Sequence, residues 1–417
     1  MDYKTLTSCR ICKSKELFKY LDLGFAPLSN NLLDHPSLKA EKYPVSMLFC
    51  QTCYLSQLSI VVDPSLLYSH YLYHSSVSET FKKHCYSLAI KLRDTFMPQK
   101  HTLIVDIASN DGCLLREFQK AGFSHFLGIE PASNLASEPY GYKDYLSDNN
   151  KPYAIPVLKA FWSLTIAKEY VYKANNAGFI IATNVLAHVH DLDDFLSGVE
   201  ISLKKDGVFV AEFPYLWDLF THNQFDTIYH EHLSYFLLAP LIGLFRAHNL
   251  SIFDVEELDI HGGSLRIYAS KDFYPVKSSV NRFLDIEASR GLYSEDYYLS
   301  FGSRVDSVRT HLSHTLGELY NLGSKVMGYG ASAKGISLLN YCHVDNTLID
   351  SIVDDTPEKQ NKWTPGSLIP IVDFSRFEKD SPDYILLLAW NFKEELIRKT
   401  QHLNCKYILP IPEVRVI

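Results

Sequence analysis

HTLIVDIASNDGCLLREFQKAG, residues 101–122, followed by HFLGIEP, residues 125–131, decides the fold of this chain. An apolar strand runs into a small turn, an amphipathic helix follows, and a second apolar strand closes the unit. The same alternation continues in GFIIATNVLAHV (178–189) and GVFVAEFPY (207–215). Strands alternating with helices predict an α/β fold built on a parallel, doubly wound sheet. A second alternation starts near Lys325 with KVMGYGASAKG, LIDSIVDD and DYILLLAW, which predicts a smaller α/β unit at the C-terminal end. Between them, from about 276 to 322, the pattern is helical.

In open α/β sheets ligands sit beyond the carboxyl ends of the strands, near the point where strand order reverses. Asp106 ends the first strand, and the turn Ser109, Asn110 and Gly112 opens the helix. Glu130 ends the second strand, where a carboxylate can accept hydrogen bonds from both hydroxyls of a ribose. A dinucleotide fingerprint, G-x-G-x-x-G, is missing, and a pyrophosphate needs that close backbone approach. An acidic end, a small turn and a second acidic end instead suit S-adenosylmethionine. Asn184, at a later strand end, is placed facing the same cofactor. The plain alternative for Asp106 and Glu130 is helix capping.

Residues 1–68 carry Cys9-x-x-Cys12 and Cys50-x-x-Cys53, four of the eight cysteines. In a reducing compartment two such knuckles complete a thiolate tetrahedron around Zn²⁺. Four thiolates leave no open position, so the predicted metal is structural. So short a piece lacks the core to fold unaided. Cys85, Cys113, Cys342 and Cys405 are scattered and read as packing residues.

FDTIYHEH, residues 225–232, places Tyr229, His230, Glu231 and His232 in succession. These are proton handlers near neutral pH, and the apolar run YFLLAPLIGLF beside them favours burial and shifted pKa values. As a strand, Tyr229 and Glu231 share one face and His230 and His232 the other; a sharp turn gathers more of them. A zincin is excluded, because H-E-x-x-H spacing is absent. HVHDLDDF carries His188 and His190 but has Leu192 where a hydrolase H-x-H-x-D needs aspartate; packing or capping is the plain alternative for His190. HYLYHSSVSET (70–80) reads as an aromatic linker or a polar pocket. GYGASAKG (328–335) is a glycine turn at a helix start, fit for phosphate with Lys334 as charge partner. Tight strand–helix packing is its plain alternative, as a structural arginine is for Arg266 in HGGSLR.

At 417 residues, 47% apolar and net charge −8, the chain predicts two or three globular domains and disfavours nucleic acid. EFPY also departs from the N/D-P-P-Y of amino-directed nucleic-acid methyltransferases. No signal-peptide core appears, and the best apolar run, Phe236 to Phe245, stops at about ten residues, too short to span a membrane. A cytoplasmic, membrane-free location is expected.

CRIC…FCQTC, HYLYHSS, VDIASNDG, GIEPASN, NVLAHVHDLDDF, EFPYLWDL, FDTIYHEHLSYF, HGGSLR, GYGASAKG and PGSLIPI stand here in the order seen in sugar C-methyltransferases, and the chain resembles that family over nearly its whole length. Those enzymes place a branching methyl group on nucleotide-linked 4-keto-6-deoxy sugars. The resemblance implies a zinc module over 1–68, a Rossmann-like class I methyltransferase domain over 69–275 with a helical lead-in, and a second Rossmann-like α/β domain over 276–417, with the sugar nucleotide between the last two. It implies His232 as base, Tyr229 and His188 at the enolate oxygen or the sugar, and Glu231 orienting His232 or binding a hydroxyl. Tyr71, Tyr73, Ser75, Ser76, His230, Arg266, Tyr329 and Lys334 are then the candidate substrate contacts. Methylation at C3 follows from the resemblance alone. The carrier, GDP, TDP or CDP, stays open, and so does the oligomeric state, with a monomer as the working expectation. The interval 135–151 looks idiosyncratic. Two other classes compete: an NAD(P)-linked oxidoreductase and a zinc-ribbon RNA methyltransferase, which needs a basic groove and a stacking platform.

Overall fold

The computed structural model describes residues 2–68, 71–72, 74–99, 101–136 and 155–417. Tyr73 and most of the idiosyncratic interval lie outside the described residues. The N-terminal part contains β1 (Tyr3–Thr5), β2 (Leu17–Pro27), β3 (Lys42–Cys50), β4 (Ser56–Leu58), β5 (Ile60–Val62) and α1 (Pro64–Tyr68). Then comes α2 (Glu79–Phe96), which starts where the Ser78 side chain accepts the Phe81 amide and stops at Met97, a left-handed residue.

The quoted stretch folds as read: β6 (Leu103–Ile107), α3 (Cys113–Lys120) and β7 (His125–Ile129). All five residues of β6 are buried, as a strand covered on both faces requires. The sheet continues with β8 (Val157–Leu158) and β9 (Ala177–Thr183); α4 (Leu192–Ser202) then leads into β10 (Leu203–Pro214). β11 (Ser234–Tyr235) follows the YHEH stretch, and β12 (Ser251–Leu258) and β13 (Ser264–Ser270) complete the domain. The order of the seven-stranded sheet is β12-β13-β10-β9-β6-β7-β8, with β13 antiparallel to both neighbours. In the sheet's own sequence this is sixth, seventh, fifth, fourth, first, second, third: the class I methyltransferase arrangement. The order reverses between β6 and β9, so a crevice opens beyond their carboxyl ends.

The predicted helical interval is α5 (Ser278–Ser289) and α6 (Glu295–Asn321). The last unit holds β14 (Val326–Tyr329), α7 (Ala333–Tyr341), β15 (Ile352–Val353), β16 (Ile371–Val372), β17 (Tyr384–Leu387), β18 (Lys406–Leu409) and β19 (Arg415–Val416). Its sheet order is β16-β15-β14-β17-β18-β19, parallel except for β19. Side chains of α6 lock the units together: the Tyr298 ring lies 4.1 Å from Phe49 of β3, and Phe301 lies 4.8 Å from Phe220. β11 also crosses between units, completing the N-terminal sheet in the order β11-β4-β3-β2. Among the described residues no helix is long and apolar enough to cross a membrane.

Candidate active site

A cavity of about 630 Å³ lies where the units meet, lined by residues from the N-terminal part, the central sheet and the C-terminal unit. Its floor is the β6–α3 turn. Ala108, Asn110 and Gly112 all have positive φ (55°, 53° and 77°), which folds the backbone back sharply at the strand end. For Ala108 that conformation costs about 1–2 kcal/mol, strain of the kind kept where a ligand must be approached closely. Glu130 fixes the turn: Oε2 accepts the Asn110 amide and Oε1 the Ala132 amide, both at 2.8 Å. Burial pushes the Glu130 carboxyl up, against those two hydrogen bonds, and burial with the nearby Glu130 charge pushes Asp106 well above the carboxylate range.

Asp106, Ser109, Asn110, Glu130 and Asn184 all line the cavity, whereas Gly112 shapes the turn without reaching the wall. Ser109 Oγ is buried with no hydrogen-bond partner among the described residues. An orphaned hydroxyl beside two acidic strand ends fits a ligand rich in hydroxyl and amino groups, as S-adenosylmethionine is.

The opposite wall carries the proton handlers, and here the strand expectation for YHEH gives way. The segment is a turn, with the His232 amide donating to the Tyr229 carbonyl at 3.0 Å. Tyr229 and His232 therefore face the cavity together, and His230 does not: its Nε2 meets the Tyr43 carbonyl at 3.3 Å. His232 Nδ1 lies 2.8 Å from the Thr227 carbonyl, which can only accept, so Nδ1 carries the proton and Nε2 keeps its lone pair. Tyr229 Oη lies 3.3 Å from that Nε2. Burial, the neighbouring His188 ring and the Lys334 charge hold the His232 pKa well below its ordinary value, so the imidazole is neutral at pH 7.

His188 stacks edge-on against His232, with ring centroids 4.7 Å apart. Its Nδ1 lies 3.0 Å from Tyr68 Oη, which itself donates to the Glu231 carbonyl at 3.1 Å. With that hydroxyl proton already directed, Nδ1 is the donor and Nε2 an acceptor. Burial drops the His188 pKa to about 4. A neutral ring with Nε2 unprotonated accepts a hydrogen bond from a ligand hydroxyl better than it donates one to an oxyanion, which narrows the two roles expected for it.

Glu231 lies behind the wall. Its Oε1 accepts Asn30 Nδ2 at 2.6 Å and its Oε2 meets Tyr71 Oη at 3.5 Å. Burial raises its carboxyl from 4.5 to about 7. A folded-state pKa above the unfolded value means that stability is present in full below pH 4.5 and falls as pH rises through 7. Glu231→Gln should remove that dependence and gain up to about 3 kcal/mol over the wild type above pH 7. Urea midpoints at pH 5 and pH 8 check this; parallel curves for the two proteins would refute it.

Lys334 lines the cavity at the start of α7, its ammonium 3.3 Å from the His261 carbonyl and 5.6 Å above the Trp390 ring. Trp390 Nε1 donates to Asp226 at 2.6 Å, so a buried carboxylate stands behind the cation. Tyr71 and Ser75 also line the wall, while Ser76 stays off it, its amide bonded to Asp111 at 3.1 Å. Two further expectations need correction. Arg266 is held inside the sheet by Glu212 at 2.6 Å and Glu256 at 3.2 Å, and does not reach the cavity. Tyr329 points into the C-terminal unit, 3.2 Å from Asp355. The HGGSLR motif reaches the cavity through His261 instead. Asn30 and Tyr68, both on the wall, gave no sequence signal: one sits in a loop of the zinc module, the other in its last helical turn.

The four predicted ligand sulfurs lie within 4.8 Å of one another, with Cys9–Cys53 and Cys12–Cys50 each at 3.5 Å. Tetrahedral Zn–S bonds of about 2.3 Å place sulfurs about 3.8 Å apart, so the donor set and spacing fit zinc.

Three family descriptions match in order along the chain: a proposed zinc binding domain over 9–68, a methyltransferase domain over 81–255, and a C-methyltransferase C-terminal domain over 259–412. The C-methyltransferase NovU of Streptomyces niveus is 33% identical over 421 residues, covering 99% of this chain and 97% of the relative. The chain belongs to the C-methyltransferase family. This C-methyltransferase uses S-adenosylmethionine and carries a zinc site. Among solved structures, magnesium protoporphyrin IX methyltransferase of Synechocystis PCC 6803 is 13% identical over 45% of this chain and 81% of that one, at a TM-score of 0.33. The N1-methyltransferase of 1,6-didemethyltoxoflavin from Burkholderia thailandensis gives 13%, 46%, 79% and 0.33 in the same order. At such scores these likenesses carry no weight for function.

Proposed function

We propose that this C-methyltransferase acts on a nucleotide-linked 4-keto-6-deoxyhexose and methylates C3 through an enolate, with His232 as base. The supporting observation is the His232 ring: its protonated Nδ1 is pinned by a carbonyl, and its basic Nε2 is on the same cavity as the acidic strand ends. A sugar C–H is not acidic alone, but a ketone at C4 lets the electrons of the broken C–H bond move onto oxygen. His232 takes the proton, and Tyr229 is the hydroxyl donor nearest to it for the oxygen that becomes negative. His188 accepts from a sugar hydroxyl. Lys334 and the start of α7 offer positive potential to a diphosphate. S-adenosylmethionine, when bound, supplies the electrophilic methyl group. Asp106, Asn110, Glu130 and Asn184 hold and orient it.

Glu231, its carboxyl raised to about 7, is the second candidate for the base by acidity, although Asn30 and Tyr71 hold that carboxyl behind the cavity wall. The RNA and oxidoreductase readings have no such support: the cavity floor is acidic, and the cofactor turn lacks a dinucleotide fingerprint. Deuterium wash-in tests the proposal. Keto-deoxysugars on GDP and TDP are incubated in D₂O with S-adenosylhomocysteine, and the protons at C3 and C5, the two positions next to the ketone, are followed by NMR. Exchange at C3 is expected; exchange at C5 alone would move the methylated carbon. With neither, a missing methyl mass gain after adding S-adenosylmethionine would remove the substrate class.

Glu130→Ala should weaken S-adenosylhomocysteine binding about 10-fold or more, the worth of one hydrogen bond to a charged group together with a loosened turn. Isothermal titration measures it. An unchanged Kd would take Glu130 out of the cofactor site.

A further inference from the structure

We infer that Arg10, between two cysteines of the first zinc knuckle, is a positioning residue that holds the His188 loop in register for the reaction. The half-buried guanidinium donates to the carbonyls of Val189 and His190, the latter at 2.7 Å, and to Ser234 Oγ. The first two acceptors directly follow His188, and the third lies two residues past His232. One planar fork thus grips both segments that carry the cavity's histidines. Lysine has three donors on a single nitrogen and lacks the planar spread that lets Nη1 reach Ser234 while Nη2 reaches the two carbonyls.

The grip is anchored at its own base. The Arg10 amide donates to Gln57 Oε1 at 2.8 Å, and Gln57 lies opposite Ser234 where β4 pairs with β11. The knuckle turn itself is closed by the Lys13 amide on the Cys9 carbonyl at 3.1 Å. Two further links tie the gripped segments to each other: the Leu233 amide meets the Ala187 carbonyl at 2.8 Å, and the Tyr68 hydroxyl bridges His188 to the Glu231 carbonyl through two hydrogen bonds. The zinc knuckle is therefore a clamp whose jaw is Arg10, and it aligns His188 against His232 without touching substrate. The catalytic part of this inference rests on the proposed role of His188.

The test uses the full chain with zinc bound, as wild type, Arg10→Ala, Arg10→Lys and Ser234→Ala. Amide hydrogen exchange followed by mass spectrometry should show the 185–190 peptide exchanging about 10- to 100-fold faster in Arg10→Ala, from the loss of bonds to a charged donor. Arg10→Lys should be intermediate and Ser234→Ala milder. Zinc content and S-adenosylhomocysteine affinity should stay at wild-type values, while the rate of sugar C–H exchange falls about 10-fold or more at unchanged KM. Unaltered exchange of the 185–190 peptide in Arg10→Ala and Arg10→Lys would overturn the clamp. So would an equal rise over the whole chain, which marks general destabilisation. A loosened loop with an undiminished rate would overturn the positioning role. If Arg10→Ala does not fold, Arg10→Lys and Ser234→Ala decide by the same criteria. Should the wild type show neither sugar-proton exchange nor a methyl mass gain with S-adenosylmethionine, the substrate reading has failed, and the amide data still decide the clamp.

Discussion

His232→Gln is expected to slow both C–H exchange and methyl transfer by about 10²–10⁴-fold, the range of a positioned general base, with cofactor affinity intact. Glutamine keeps a donor toward the Thr227 carbonyl and fills similar space, so the turn that carries it should survive. What it lacks is the basic Nε2. Wash-in kinetics on wild type, His232→Gln and Glu231→Gln separate the two candidate bases, because only loss of the true base abolishes exchange. Full exchange in His232→Gln would remove it from the reaction. The acid side follows from the same burial. His188 and His230 are each held near pKa 4 by burial, below the ordinary 6.5. Their contribution to stability is present above pH 6.5 and is lost as pH falls toward 4, because the unfolded chain binds the protons that the fold refuses.

Replacing a zinc ligand should have the largest structural effect. Structural zinc contributes an apparent ~10–16 kcal/mol in small metal-dependent modules, as much as the whole stability of an ordinary domain. Cys50 is fully buried at the end of β3, beside the Phe49 ring that packs on Tyr298. Cys50→Ser should therefore abolish zinc binding and melt the N-terminal sheet. It should also withdraw Asn30 and Tyr68 from the cavity wall, so that methyl transfer is lost. S-adenosylhomocysteine binding should persist, since Asp106, Glu130 and Asn184 belong to the central sheet. Metal analysis, calorimetry and titration read the three parts, and a zinc-free protein with a single unshifted transition would contradict the expectation. Chelation of the wild type should reproduce the variant.

The parallel sheet was legible because fully buried strands are continuous apolar runs, and the turn on the cavity floor because acidic residues at two strand ends stand out against them. The cysteine pairs were legible because ligand spacing is local. The reach of the YHEH segment was not. Whether His230 or Glu231 faces the cavity depends on a turn closed by a single amide, and on Tyr43 and Asn30, 187 and 201 residues away in the chain. Arg266 looked like a cleft residue until β10 and β13 paired and set Glu212 directly opposite it.

By itself, then, the sequence determined the alternating strands and helices of both α/β units, the metal-binding cysteines and the acidic strand ends, all of which rest on periodicity or short spacing. Only the tertiary structure decided which histidine nitrogen is basic, that Arg10 of the zinc knuckle grips the His188 loop, and that Lys334 shares a cavity with His232. Those depend on packing between distant segments, where burial and a partner's carbonyl, rather than residue type, set protonation and direction.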